Sequence, residues 1–248
     1  MIINYVKILD RLERIRKILV VSFAALLAVA LLLYLKADWL IGILIKPLGS
    51  KQLVYLTPME GIMSKIQIAF FGALTVCFPF ILWQSARFAA PLLTGTQKKI
   101  IYAMIPLTVI LFGSGLIFGF SVITPVTLKF LLETGQQYMV ASLSANRYFS
   151  FVIMLSLGMG LVFELPLVMF VLAILGIIKA KTLREKRKIA AIAIVVLTAI
   201  LTPTPDALTF VIASLPVLAL YELSILAISA YEKMTKSKKL KSASVQEV

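Results

Sequence analysis

The chain has 248 residues, 61% of them hydrophobic, with a formal net charge of +14 and a mean hydropathy of +1.02. Soluble domains run nearer about 45–50% apolar, so a water-soluble core-and-surface protein is excluded. The apolar stretches, such as residues 20–35 and 189–201, are continuous. Barrel strands would alternate apolar and polar residues over about 10 positions. The expected class is therefore an all-α membrane protein, a bundle of six transmembrane helices.

Residues 1–17 are charged, and 18–35 is long enough to remain as a first span, so no cleaved secretory leader is expected. The loop after it, about 36–61, contains a short amphipathic segment at 37–45. The second span, 62–86, ends in Trp83-Gln84 and in Phe88-Ala-Ala-Pro91, where Trp83 reads as an interface anchor. The third, 100–122, contains Gly115-x-x-x-Gly119, a spacing that lets two helix backbones approach closely. A second outer loop, about 123–147, carries Tyr138 and leads to Tyr148, both suited to headgroup level. The fourth span covers 148–176. The fifth, 189–203, stops at Thr202-Pro-Thr-Pro-Asp206, where two prolines turn the chain into a tight hairpin. The sixth covers 207–228, and the Lys/Ser-rich segment 231–248 reads as a disordered basic tail behind a membrane domain of 1–230.

Charge placement orients the bundle. Segments assigned to the inside hold 19 of the 25 basic residues, which makes both termini cytoplasmic. The same placement explains the +14: lysines and arginines orient helices and meet anionic membrane lipids, so no nucleic acid is expected as a partner. With no histidine and a single cysteine, Cys77, neither a metal nor a cofactor site is expected, and Cys77 reads as a small buried hydrophobe. Phosphate-cradling glycine loops and nucleophile–base arrangements are missing too, so the chain does not read as an enzyme.

Three acidic residues stand out. Glu164, in Phe163-Glu164-Leu-Pro166, falls near the middle of the fourth span. It either serves a function or makes a structural hydrogen bond in its protonated form. Pro166 has no N–H and frees a carbonyl one turn earlier. Glu222, in the inner half of the last span, either snorkels to the cytoplasm or pairs with a basic loop residue. Asp206, after the proline turn, reads as the N-terminal cap of the sixth helix.

Several segments together resemble the TatC family of twin-arginine translocase subunits. They are Leu12-Glu-Arg-Ile-Arg-Lys17, Trp83-Gln84 with Phe88-Ala-Ala-Pro91, and Phe112-x-x-Gly115-x-x-Phe118 with Pro125. The series continues through Phe163-Glu164-Leu-Pro166, Leu183-Arg184 with Arg187, Leu201-Thr-Pro-Thr-Pro-Asp206, and Leu215-Pro216 with Tyr221-Glu222. Each motif alone is weak; their order and spacing, from about residue 8 to 225, make the set specific.

The resemblance implies a receptor in the cell (cytoplasmic) membrane for twin-arginine signal peptides of folded cargo. It further implies single-span TatA/TatB-type partners, homo-oligomers in the complex, and transport driven by the proton-motive force. Signal-peptide contacts implied by it are Glu13, Arg16, Phe88, Pro91 and Gln97; aligning through Arg16 instead puts Arg14 at the family's glutamate. The loop glutamate of the family falls at Gln97, which accepts a hydrogen bond but brings no charge, so Glu13 and Asp10 carry more of the electrostatics. Glu164 and Pro166, with Asp206 and Glu222, are the expected intramembrane contacts to a partner helix. The short fifth span implies local bilayer thinning. The rival reading from the residues alone is a proton- or ion-coupled secondary transporter with Glu164 as its ion site, which calls for inverted repeats and several intramembrane charges.

Overall fold

The computed structural model describes residues 2–49, 51–89, 93–135, 142–202 and 207–246. Ten α-helices follow one another among these residues: α1 (Ile2–Tyr34), α2 (Ala37–Leu44), α3 (Met59–Ala89), α4 (Gly95–Phe118), α5 (Thr124–Gly135), α6 (Ala145–Phe163), α7 (Leu165–Ile174), α8 (Ala180–Glu185), α9 (Arg187–Leu201) and α10 (Ala207–Gln246). Five continuous stretches are long and apolar enough to cross a membrane: Ile15–Tyr34, Met59–Phe88, Gly95–Thr134, Ala145–Ile174 and Ala207–Thr235. The chain is thus a helical, multi-pass membrane protein. The fifth expected span, α9, has 15 residues, or about 22 Å at 1.5 Å per residue, and falls short of a hydrocarbon core of about 30 Å.

Several boundaries differ from the sequence-based expectation. The third span does not stop near 122: a π turn, Gly119–Ile123, carries α4 straight into α5. Across that turn both the backbone N–H and the hydroxyl of Thr124 donate to Gly119 O, the hydroxyl at 2.8 Å. The fourth span is interrupted at Glu164, between α6 and α7. The segment expected as a tail from 231 is continuous with α10 as far as Gln246. At the end of the bundle that holds α2, a two-residue parallel pair joins β1 (Leu53–Val54) to β2 (Leu143–Ser144), in register Leu53↔Leu143 and Val54↔Ser144.

Packing follows from small residues and apolar faces. Cβ atoms on Gly115 and Gly119 would lie 2.7 Å from Met159 O and 2.8 Å from Leu155 O, so the glycine pair lets α4 press directly on the α6 backbone. Gly160 takes the ring of Phe112 in the same crossing, and Phe112 stacks on Phe78 of α3 with ring centroids 3.6 Å apart. The main buried cluster joins α6 to α9 and α10 through Leu155, Met159, Ile194, Val217 and Ile225. A second cluster, including Ile68, Tyr148 and Val152, gathers under α2, where the Tyr148 hydroxyl donates to Leu44 O at 2.7 Å. Helix α1 attaches mainly along α3, through Leu26 against Ala73 and Cys77.

Candidate functional site

The break in the fourth span starts with Pro166. With no N–H at 166, the helix cannot continue its regular ladder from Val162. The Glu164 N–H turns to Leu161 O at 3.1 Å, and the N–H groups of Leu167 and Val168 both reach Glu164 O at 3.0 Å. Glu164 therefore ends one helix and begins the next, with its side chain held inside the bundle at 7% exposure. One carboxylate oxygen, Oε1, is buried without a hydrogen-bond partner. Most buried polar atoms are satisfied, and one that is not calls for an explanation. The other oxygen, Oε2, is not among the unpartnered buried atoms, so a structural hydrogen bond from the carboxyl and a further role for Oε1 are compatible.

The second polar region lies where α8, α9 and α10 meet. Glu222 Oε2 accepts from Arg187 Nη2 at 2.6 Å, with both side chains about half exposed. Arg184 Nη2 donates to Ser229 Oγ at 3.0 Å, the Tyr221 hydroxyl to Leu183 O at 2.8 Å, and Ala180 N–H to Glu232 Oε1 at 3.0 Å. Of the two possibilities open for Glu222, pairing with a basic loop residue is the one observed. An ion pair at that exposure contributes about 0–1 kcal/mol.

Gln97 has a local origin. Thr94-Gly-Thr-Gln97 has the spacing in which a helix N-cap residue and the side chain three positions on satisfy each other, and Gln97 Oε1 accepts from Thr94 N–H at 2.9 Å. Its Nε2 donates to Ile174 O at 2.8 Å. Helix α7 closes on Gly176, at φ +76, with Ile177 N–H on Leu172 O and Gly176 N–H on Ala173 O. The Ile174 carbonyl is thereby left for Gln97, and the amide ties the start of α4 to the end of α7. A glutamate could cap Thr94 but could not donate to Ile174.

Helices α1 and α3 run antiparallel, since Leu33 meets Gly72 while Leu26 meets Cys77. From those contacts Glu13 rises about 20 Å along α1 and Phe88 about 17 Å along α3, at 1.5 Å per residue, so they stand at the same end of the bundle. Glu13 and Arg16 are exposed and Phe88 is partly buried. Among the described residues no hydrogen bond or ion pair joins Glu13 or Arg16 to Gln97. The side chain of Asp10, together with Pro91 and Asp206, lies outside the described residues.

The sequence matches the family model for the Sec-independent protein translocase protein TatC over residues 10–216. It is 35% identical over 218 residues to the Sec-independent protein translocase protein TatC of Carboxydothermus hydrogenoformans, covering 87% of this chain and 90% of that protein. To TatCd of Bacillus subtilis it is 32% identical over 227 residues, covering 91% and 93%. The chain belongs to the TatC family. A crystal structure of the twin arginine translocase receptor TatC in DDM superposes with a TM-score of 0.75 at 32% identity, covering 88% of this chain and 99% of that one. As a TatC family member the chain is a protein-transport component of the membrane.

Within this TatC fold, the residues singled out from sequence do not form one site. Glu13, Arg16 and Phe88 stand toward one end of α1 and α3, Gln97 ties the start of α4 to the end of α7, Glu164 and Pro166 form the helix break, and Glu222 belongs to the α8–α10 corner. Sequence reasoning missed the tie from Gln97 to Ile174 and left the partner of Glu222 unnamed. The Thr94-x-x-Gln97 spacing signals the local cap, but the second bond, to Ile174 77 residues away, has no local signal. The pairing of Arg187 with Glu222, 35 residues apart, has no local signal.

Proposed function

We propose that this chain is the core receptor subunit of a twin-arginine translocase in the cell (cytoplasmic) membrane. It binds twin-arginine signal peptides and assembles with single-span TatA/TatB-type partners and further copies of itself. Folded proteins then cross the membrane at the expense of the proton-motive force. The observation that carries this reading is the family match over residues 10–216, which contains nearly all of the motifs named above. The role is binding and transport, without a chemical reaction on the cargo. Six spans with both termini in the cytoplasm fit the bias of basic residues, with α9 as a short fifth crossing that thins the bilayer around it.

Recognition of the arginine pair is assigned to Glu13, Arg16, Phe88, Pro91 and Gln97. Arginine presents a planar fork of donors that a carboxylate or carbonyl satisfies best. The Gln97 amide brings no charge and is engaged with Thr94 and Ile174, so in this reading the negative charge is supplied by Glu13, with Asp10. Glu164, buried at the helix break beside Pro166, offers its free oxygen to a polar side chain on a partner's transmembrane helix that reaches into the break, worth about 0.6–2 kcal/mol. Asp206 and Glu222 are the further candidates for polar contact with that partner.

The test is photo-crosslinking from positions next to Glu13 and Gln97 to a twin-arginine precursor and to its twin-lysine version. Strong crosslinks to the first and weak ones to the second are expected. Equal crosslinking to both precursors would remove the receptor reading.

A further inference from the structure

The bias that orients the chain has one concentrated exception. Of the six basic residues assigned to the outside, four (Lys36, Lys46, Lys51 and Lys65) fall within 36–65, against two acids, Asp38 and Glu60. Cations on that side oppose the favoured orientation, so their clustering asks for a negative counterpart. A cavity of about 710 Å³ lies there, between α2, the β1 segment and the start of α3, and Tyr34, Lys51, Gln52, Tyr55, Ser64 and Lys65 supply its polar lining.

Inside it the charges do not cancel. Asp38, also on the wall, takes the ammonium of Lys65 at 2.7 Å. Glu60 is turned away, accepting from Leu56 N–H at 3.3 Å and the Ser144 hydroxyl at 3.2 Å. Lys51 forms no ion pair among the described residues. Ser64 is 2% exposed, and its Oγ has no partner although the residue lines the cavity. Buried helical hydroxyls such as Thr108, Thr198 and Ser224 donate one turn back to a backbone carbonyl, whereas those of Ser22, Thr127 and Ser156 are unpartnered like that of Ser64; of these four residues Ser64 is the one that lines this cavity. The floor is apolar, with Leu48, Leu53 and Phe149, and the wall at Ile62 is half exposed and continues along α3 to the half-exposed Ile66. Such a site suits a ligand with an anionic, hydrogen-bonding head and an apolar body that leaves along the lipid-facing surface.

We propose that this cavity holds the head group of an anionic phospholipid, its phosphate between Lys51 and Lys65, a head-group oxygen on Ser64, and its acyl chains running past Ile62 along α3. The leaflet, here the outer one, rests on the orientation given under the proposed function; the head-group chemistry does not.

The test uses the purified full chain in detergent. Native mass spectrometry reads retention of phosphatidylglycerol, of phosphatidylcholine with the same acyl chains, and of glycerol 3-phosphate. Phosphatidylglycerol is expected to be retained about fivefold more than phosphatidylcholine, the factor that about 1 kcal/mol of attraction from one lysine corresponds to, since Asp38 already offsets the charge of Lys65. Lys51→Gln and Ser64→Ala should each lower its retention towards the phosphatidylcholine level, while Lys129→Gln, on α5, leaves it unchanged. Lys51 is exposed, so its substitution leaves folding intact. Equal retention of the two lipids, an equal loss in Lys129→Gln, or glycerol 3-phosphate held as well as the lipid would each overturn the proposal. Neither cargo nor partner subunits enter this assay, so its failure and that of the translocase reading are separate results.

Discussion

Two glutamates in the second half of the chain sit in opposite circumstances. Glu222, at the α8–α10 corner, is half exposed and has an arginine at 2.6 Å, within a corner whose other polar groups are also paired. Glu164, at the α6–α7 break, is almost fully buried and keeps one oxygen without a partner. The first arrangement is self-sufficient: it pins α9 to α10 and needs nothing further. The second is incomplete within the chain, because an unsatisfied buried polar atom costs about 1–3 kcal/mol that only an external group or water can recover. Residue type alone does not separate the two; the partners do.

Substitutions can break or sharpen this contrast, and the largest effect belongs to the frame that holds Glu164. Gly115→Val places a side chain 2.7 Å from Met159 O, forces α4 away from α6 and costs at least about 1–3 kcal/mol. A lower unfolding temperature together with loss of export is expected. An unchanged unfolding temperature would show that the two backbones are not in contact. Glu164→Ala should separate function from folding. Export is expected to fall by about three- to thirtyfold, the range matching 0.6–2 kcal/mol of lost partner contact, while stability stays level or rises because no paired group is orphaned. A drop in stability with export intact would reverse the assignment.

Gln97→Glu is expected to be intermediate. The Thr94 cap survives, but a carboxylate oxygen replaces the donor facing the Ile174 carbonyl, for a loss of about 1–3 kcal/mol read in thermal unfolding. No change would mean that the tie between α4 and α7 contributes nothing. Glu222→Gln is the smallest: a half-exposed pair loses one charge, and stability falls by less than about 1 kcal/mol with export near normal. A collapse of export in that variant would make the α8–α10 corner more than structural.

Much of this was legible in the sequence, for reasons that differ by region. Continuous apolar runs marked the spans, and the Pro-Thr-Pro turn marked the short α9. The glycine pair at 115 and 119 announced the close α4–α6 crossing, because only an absent side chain permits it. Glu164 was visible as a carboxylate at bilayer depth, and Pro166 beside it pointed to a break. That Oε1 lacks a partner was not visible, since it depends on how α4 and α6 pack, not on spacing along the chain. The extension of α4 into α5 was hidden by Thr124, Pro125, Lys129 and Glu133, whose polarity resembles that of a loop although a π turn carries the helix through. The β1–β2 pair was invisible as well, because two residues are too few for alternation to register.

The most direct measurement of the central claim is a crosslink from position 161, one turn before Glu164 on the lipid-exposed side of α6, to the transmembrane helix of a TatA/TatB-type partner in membranes. The account predicts a strong adduct with Glu164 in place, its loss in Glu164→Ala, and its partial return in Glu164→Gln, which keeps a polar contact. An adduct of equal strength in all three would contradict it.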